Sequence, residues 1–188
     1  RLVNIPSVPF RLFIHASITK IDKYACYGCL LLMEVLFHNK VTEIGRHAFA
    51  RCRNLQPVEL PARLLRVEHL AFQYCTSLPQ IRIPASVQYM GVEVFAECTS
   101  LERVVFAPRT TSIELGSHMF WRCTNLRFVT LPQHLQSIPA RCFQNCTSLT
   151  HLQIPESVEE IGEKALYRSG IQSIDVSEQV HRIRSGAF

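Results

Sequence analysis

One pair of neighbouring positions recurs along this chain and limits what it can fold into. A small or apolar residue followed by a large apolar one stands at Ala48-Phe49, Ala71-Phe72, Val94-Phe95, Met119-Phe120, Cys142-Phe143, Ala165-Leu166 and Ala187-Phe188, with successive spacings of 23, 23, 25, 23, 23 and 22 residues. Three residues past the aromatic stands Cys52, Cys75, Cys98, Cys123 or Cys146, and three further on Leu55, Leu78, Leu101, Leu126 or Leu149. A period of this length, held at several positions at once, is the mark of a solenoid in which each unit buries its apolar face against its neighbours.

One period before Ala48 the unit is still legible as Ala25, Cys29, Leu32, Val35 and Phe37, with Cys26 in the aromatic position. Residues 1–24 form a degenerate first repeat in which Leu12, Ile14, Ile18 and Ile21 fall in phase, while Pro6 and Pro9 take the Cys and Leu positions. About eight units therefore fill residues 1–188 as a single domain. The ending Gly186-Ala187-Phe188 carries no polar cap, which predicts an array that continues beyond residue 188.

Within each unit the run typified by Leu126-Arg127-Phe128-Val129-Thr130-Leu131-Pro132 alternates apolar positions with a period of two and is closed by proline, which predicts one strand per unit. Such strands stack into a parallel sheet. The second half, as in Val158-Glu159-Glu160-Ile161-Gly162-Glu163-Lys164-Ala165, fits a short strand, a turn or a 3₁₀ segment. The expected architecture is an α/β-type repeat solenoid: a right-handed coil with a parallel concave sheet, and short strands, turns or 3₁₀ segments on the other side.

The unit Cys75-Thr76-Ser77-Leu78 through Ile81-Arg82-Ile83-Pro84 and Ser86-Val87 resembles the BspA-like class of leucine-rich repeats, and the copy from Cys146 to Gly162 matches that pattern almost throughout. The variant copy Ala165-Leu166-Tyr167-Arg168-Ser169-Gly170-Ile171 is similar to one this family uses. The resemblance extends from about residue 12 to the end. It implies the fold, and a surface-exposed or intracellular binding or adhesion protein without a catalytic site.

Eight cysteines invite a disulfide or metal reading. Six of them (Cys29, Cys52, Cys75, Cys98, Cys123 and Cys146) hold one repeat position, where a small polarizable thiol fills an interior corner of the coil. Such a ladder favours a reducing, intracellular compartment, although surface or secreted proteins also keep buried thiols. The sharper alternative is Cys26-Tyr27-Gly28-Cys29, whose spacing suits a redox pair or half of a zinc site; no second pair accompanies it. The eight histidines are dispersed without ligand spacing and read as solvated. Asn145-Cys146-Thr147 matches a glycosylation acceptor only formally, because Cys146 is an interior position.

No phosphate loop, nucleophile elbow or acid-base carboxylate pair is present, so no cofactor, metal or catalytic residue is assigned. The net charge of +5 is spread along the chain and singles out no nucleic acid partner, and the longest apolar stretch, Cys29–Phe37, is interrupted by Glu34 and too short to span a bilayer. The start Arg1-Leu2-Val3-Asn4 does not read as a secretory signal.

A partner is expected on the outward residues of the concave sheet. Arg82, Arg103 and Arg127 fall in neighbouring strands beside Phe128, with Glu59, Glu102 and His151 around them, and arginines next to an exposed aromatic have the composition of an interface hot spot. Trp121 follows the core Phe120 and is expected to face out on the turn side, either packed on the long loop Ala107–Ser112 or serving as a convex contact. The expected function is a non-catalytic protein-interaction module or scaffold. The alternatives are a structural subunit of a large multiprotein assembly and a thiol or metal protein using Cys26 and Cys29.

Overall fold

The computed structural model of the chain describes residues 7–108 and 113–188. Pro6 of the degenerate first repeat and residues 109–112 of the long loop lie outside the described residues. In chain order the strands are β1 (Phe10–Phe13), β2 (Lys20–Ile21), β3 (Leu32–Leu36), β4 (Glu43–Ile44), β5 (Val58–Glu59), β6 (Arg66–Val67), β7 (Gln80–Ile83), β8 (Tyr89–Met90), β9 (Arg103–Phe106), β10 (Glu114–Leu115), β11 (Phe128–Thr130), β12 (Ser137–Ile138), β13 (Glu160–Ile161) and β14 (Arg182–Ile183).

The chain coils so that successive units stack two parallel sheets on different sides. On the first side β1 pairs with β3, and β5, β7, β9 and β11 form a second parallel run. In β7 the expected alternation holds, with Gln80 and Arg82 pointing out and Ile81 and Ile83 buried, whereas the expected strand does not form in the last two units, at 149–155 and 171–176. On the second side β2, β4, β6, β8 and β10 pair in order, and β12, β13 and β14 follow as a separate group.

The third side corrects the expectation of an α/β-type solenoid with 3₁₀ segments, because the described residues contain no helix of any kind. In the run from Gly45 to Cys52, the N–H groups of Ala48, Ala50 and Cys52 close tight turns onto the carbonyls of Gly45, His47 and Phe49. The residues between them, His47, Phe49 and Arg51, donate instead to His69, Ala71 and Gln73 of the next coil. A 3₁₀ helix needs unbroken i to i−3 bonds, and here every second donor is spent between coils. The left-handed φ values of +56° at His47 and +62° at Arg51 break any helix as well.

The core consists of continuous columns. Phe49, Phe72, Phe95, Phe120 and Phe143 are fully buried and stack at centroid distances of 5.4, 5.6, 5.9 and 5.5 Å. Cys26 takes the aromatic position one coil earlier, and Phe37 closes that end of the column edge-on to Phe49 at 5.9 Å. Beside the rings, the thiols of Cys75, Cys98, Cys123 and Cys146 donate to the carbonyls of Phe49, Phe72, Phe95 and Phe120 at 3.3, 3.2, 3.1 and 3.1 Å, and the Cys52 thiol donates to Cys26 at 3.1 Å. The recurring interior corner thus holds a hydrogen-bond donor as well as a small apolar group.

Close stacking leaves no room at Gly116, where an added Cβ would lie 2.4 Å from the backbone carbon of Gly91. Gly116→Ala is expected to lower the urea midpoint, at a cost of about 1–3 kcal/mol for overpacking, while Gly28→Ala meets no neighbour and costs only its left-handed backbone strain.

Candidate functional site

The residues expected to meet a partner on the concave sheet lie on or beside the first-side strands, and strand pairing sets the relative places of the arginines. Arg82 on β7 is opposite Glu59 on β5 and Val105 on β9. Arg103 opens β9 opposite Gln80 and Phe128. Arg127 immediately precedes β11, and its N–H donates to the Glu102 carbonyl at 3.0 Å. The arginines therefore do not share one row: they descend as a diagonal from the middle of β7 to the start of β11.

Phe128 is 55% exposed, although its neighbour Val129 packs against the core. The Arg103 guanidinium carbon lies 4.6 Å from the Phe128 ring centroid, so a cation already covers part of that ring. Two hollows meet at Arg103. One of about 730 Å³ is lined by Glu59, Ile81, Arg82 and Val105, and the other, of about 610 Å³, by Arg127, Phe128, Thr130 and His151. The exposed His151 has Nδ1 3.0 Å from Thr150 Oγ1. Glu102 lines neither hollow; its carbonyl instead anchors the start of β11.

Charge pairing differs between the sides. On the second side Lys20 meets Glu43 at 2.8 Å, Arg66 meets Glu68 at 3.0 Å, and Glu160 lies between Arg184 at 2.5 Å and Arg182 at 3.6 Å. The Arg184 hydrogen bond holds the Glu160 carboxyl below its usual range. On the first side Arg11 pairs with Glu34. Arg82, Arg103 and Arg127 have no carboxylate partner among the described residues, even though Glu59 and Glu102 stand one strand away.

Trp121 is half-buried on the turn side. Its ring meets His118 edge-on at 6.4 Å and lies 5.2 Å from the Arg122 guanidinium, which in turn pairs with Glu97 at 2.9 Å. The loop on which it was expected to pack falls largely outside the described residues. The turn side also carries a cluster that single-position reasoning missed: Tyr24 stacks on His47 at 4.8 Å, and Arg51 lies between Tyr27 at 6.0 Å and Tyr74 at 5.4 Å. The available signal was the repeat itself, since Tyr24 and His47, like Arg51 and Tyr74, are one period apart.

Cys26 and Cys29 are both buried. Burial pushes the Cys26 thiol up to about 12 and also raises Cys29, the opposite of what activates a nucleophilic or metal-binding thiol. Nor are all the histidines solvated: His47 and His118 are half-buried, each with a buried Nδ1 that has no hydrogen-bond partner, and burial lowers the pKa of both. No group of three or more metal-ligating side chains occurs among the described residues.

With this geometry in view, comparison with known proteins decides the family. The BspA type leucine rich repeat region matches residues 11–123 and 113–188, in six copies. The chain belongs to the BspA-type leucine-rich repeat family. This BspA-type chain is similar to a leucine-rich repeat protein from Bacteroides ovatus, with 28% identity and a TM-score of 0.82 over 92% of this chain and 44% of that one. It is also similar to the T. pallidum leucine rich repeat protein, with 30% identity and a TM-score of 0.76 over 85% of this chain and 76% of that one. It spans less than half the length of the Bacteroides ovatus protein. Comparison with curated proteins gave no match. BspA-type repeat proteins in general mediate protein interaction or surface adhesion, and their solenoid is in general non-enzymatic. Among the described residues no helix is long and apolar enough to cross a membrane.

Proposed function

We propose that this BspA-type solenoid is a non-catalytic protein-interaction module that presents its first-side sheet to a macromolecular partner. The observation that carries this reading is the contrast in charge pairing. The second sheet neutralises most of its own charges, whereas Arg82, Arg103 and Arg127 stand without carboxylate partners around the exposed ring of Phe128. Arginine and exposed aromatic side chains supply a large share of the binding energy in protein interfaces. Glu59, Glu102 and His151 border the same surface and would set its polarity.

A photoreactive side chain at Val105, in the middle of this face, is expected to capture the partner in native cells, while one at Trp121 is not. Replacing Arg82, Arg103 and Arg127 together by alanine should abolish that capture and leave folding stability within about 0.5 kcal/mol, as surface substitutions do. Capture from Trp121 alone would move the contact to the turn side. That outcome is the one expected of a subunit embedded in a large assembly, a second reading supported by the aromatic cluster of Tyr24, Tyr27, His47 and Tyr74.

A further inference from the structure

We infer that the first-side face takes an extended polypeptide segment bearing carboxylates at alternate residues, laid obliquely across β7, β9 and β11 so that successive acidic side chains meet Arg82, Arg103 and Arg127. This rests on the interaction reading above and names the partner's chemistry.

The spacing follows from the register. Arg82 is opposite Val105, two residues beyond Arg103 on the same strand, so one step along the diagonal is one strand across and two residues along. With strands about 4.8 Å apart and a rise of about 3.3 Å per residue, that step is about 8 Å. Arg127 lies one strand across and one residue before the partner of Arg103, a step of about 6 Å. Side chains on one face of an extended peptide repeat about every 6.6–7 Å, between these two values. Long arginine side chains take up the difference. An α-helical ligand, whose same-face residues are three or four apart, fits the diagonal less well.

Between the arginines the surface is not uniformly polar. Phe128 and Val105 face out beside Arg103, and the hollow against β7 has Val58 and Ile81 in its walls. The methylene of a carboxylate side chain that reaches Arg103 has an apolar surface to lie on. Arg103 already rests on the Phe128 ring, so the guanidinium that must contact the central carboxylate is held in place and loses less side-chain entropy on binding.

Glu59 and Glu102 set the limits of the site. Each lies one strand before an arginine of the diagonal, Glu59 opposite Arg82 and Glu102 before the strand that pairs with β11. A peptide shifted back by one strand would place its carboxylates against them, and like charges at such positions exclude wrong registers. The face therefore favours the one placement in which the alternate carboxylates meet Arg82, Arg103 and Arg127.

The test uses fluorescence anisotropy of the intact chain with three labelled peptides of equal length: alternating Asp and Leu, the same residues as an Asp block followed by a Leu block, and alternating Lys and Leu. The alternating Asp-Leu peptide is expected to bind, with affinity falling as salt rises from about 50 to about 200 mM. Arg103→Ala should weaken it about tenfold or more, with thermal melting unchanged. The block peptide, which turns only half of its carboxylates toward any one face, is expected to bind at least about tenfold more weakly. Equal affinity for the alternating and block Asp-Leu peptides would reduce the contact to general charge attraction and overturn the inference, as would binding indifferent to Arg103→Ala or tighter binding of the Lys-Leu peptide. If the Val105 photoreactive variant still captures a partner while no acidic peptide binds, the inference fails and the interaction reading stands. If neither occurs, both fail.

Discussion

Between neutral pH and about pH 10 this protein, kept reduced, is expected to lose most of its stability. Cys26, Cys52, Cys75, Cys98, Cys123, Cys142 and Cys146 are all buried, and burial raises each thiol above its ordinary value of 9.0, to about 12 for Cys26 and Cys98. A group whose pKa is raised by folding holds its proton more tightly in the native state. Its stabilising effect is fully present below the unfolded value near 9 and is lost as pH climbs toward the folded one. At about pH 10 each such thiol favours the unfolded chain by about 1 kcal/mol, and seven together approach the ~5–15 kcal/mol that holds an ordinary domain folded. Urea midpoints measured across this window, with thiolate absorbance followed in parallel, should fall together with the appearance of thiolate. A midpoint constant from neutral pH to about pH 10 would mean that the thiols ionise in place and that the interior column is open to water.

Phe95→Ala is expected to cost about 3–5 kcal/mol, enough to lower the melting temperature by many degrees. The ring has no exposed surface and lies between Phe72 at 5.6 Å and Phe120 at 5.9 Å, so its removal leaves a cavity walled by two rings that the stacked coils hold apart. Phe128→Ala makes the contrast. That ring is 55% exposed, and its loss should leave melting nearly unchanged while weakening partner capture. If Phe95→Ala and Phe128→Ala lowered the melting temperature alike, the division of aromatics into an interior column and a binding face would be wrong.

The parts of this fold that were legible from sequence are those where one side chain type repeats in one environment. The Phe and Cys columns and the alternation in β7 follow from the period alone, because apolar burial depends on side chains that the sequence displays. The second sheet was less legible, since strands of two residues such as β4 and β6 are too short to show alternation. The third side was hidden by backbone geometry. His47, Arg51, Tyr74 and Arg122 adopt a left-handed conformation uncommon for any residue that carries a Cβ, and hydrogen bonds to the next coil impose it.

Of the candidate site, the arginines and Phe128 were visible as residues in neighbouring strands. Their diagonal arrangement was not, because it depends on which residues pair between β7, β9 and β11. The donor role of the thiols was equally invisible, as it arises only when the next coil brings a carbonyl within reach.

The breaks in the two sheets do not coincide. The first sheet is interrupted between β3 and β5, where β2 and β4 remain paired and Gly28 N–H still reaches the Ala50 carbonyl. The second is interrupted between β10 and β12, where β9 and β11 remain paired and Phe120 N–H reaches the Cys142 carbonyl. Beyond β11 the first side forms no further strand among the described residues, so next to the second gap the first sheet is open too, and the turn-side bonds with the buried Phe and Cys columns carry the array across. Those columns act as dowels through the joints, and the coils on either side of each gap are expected to melt together.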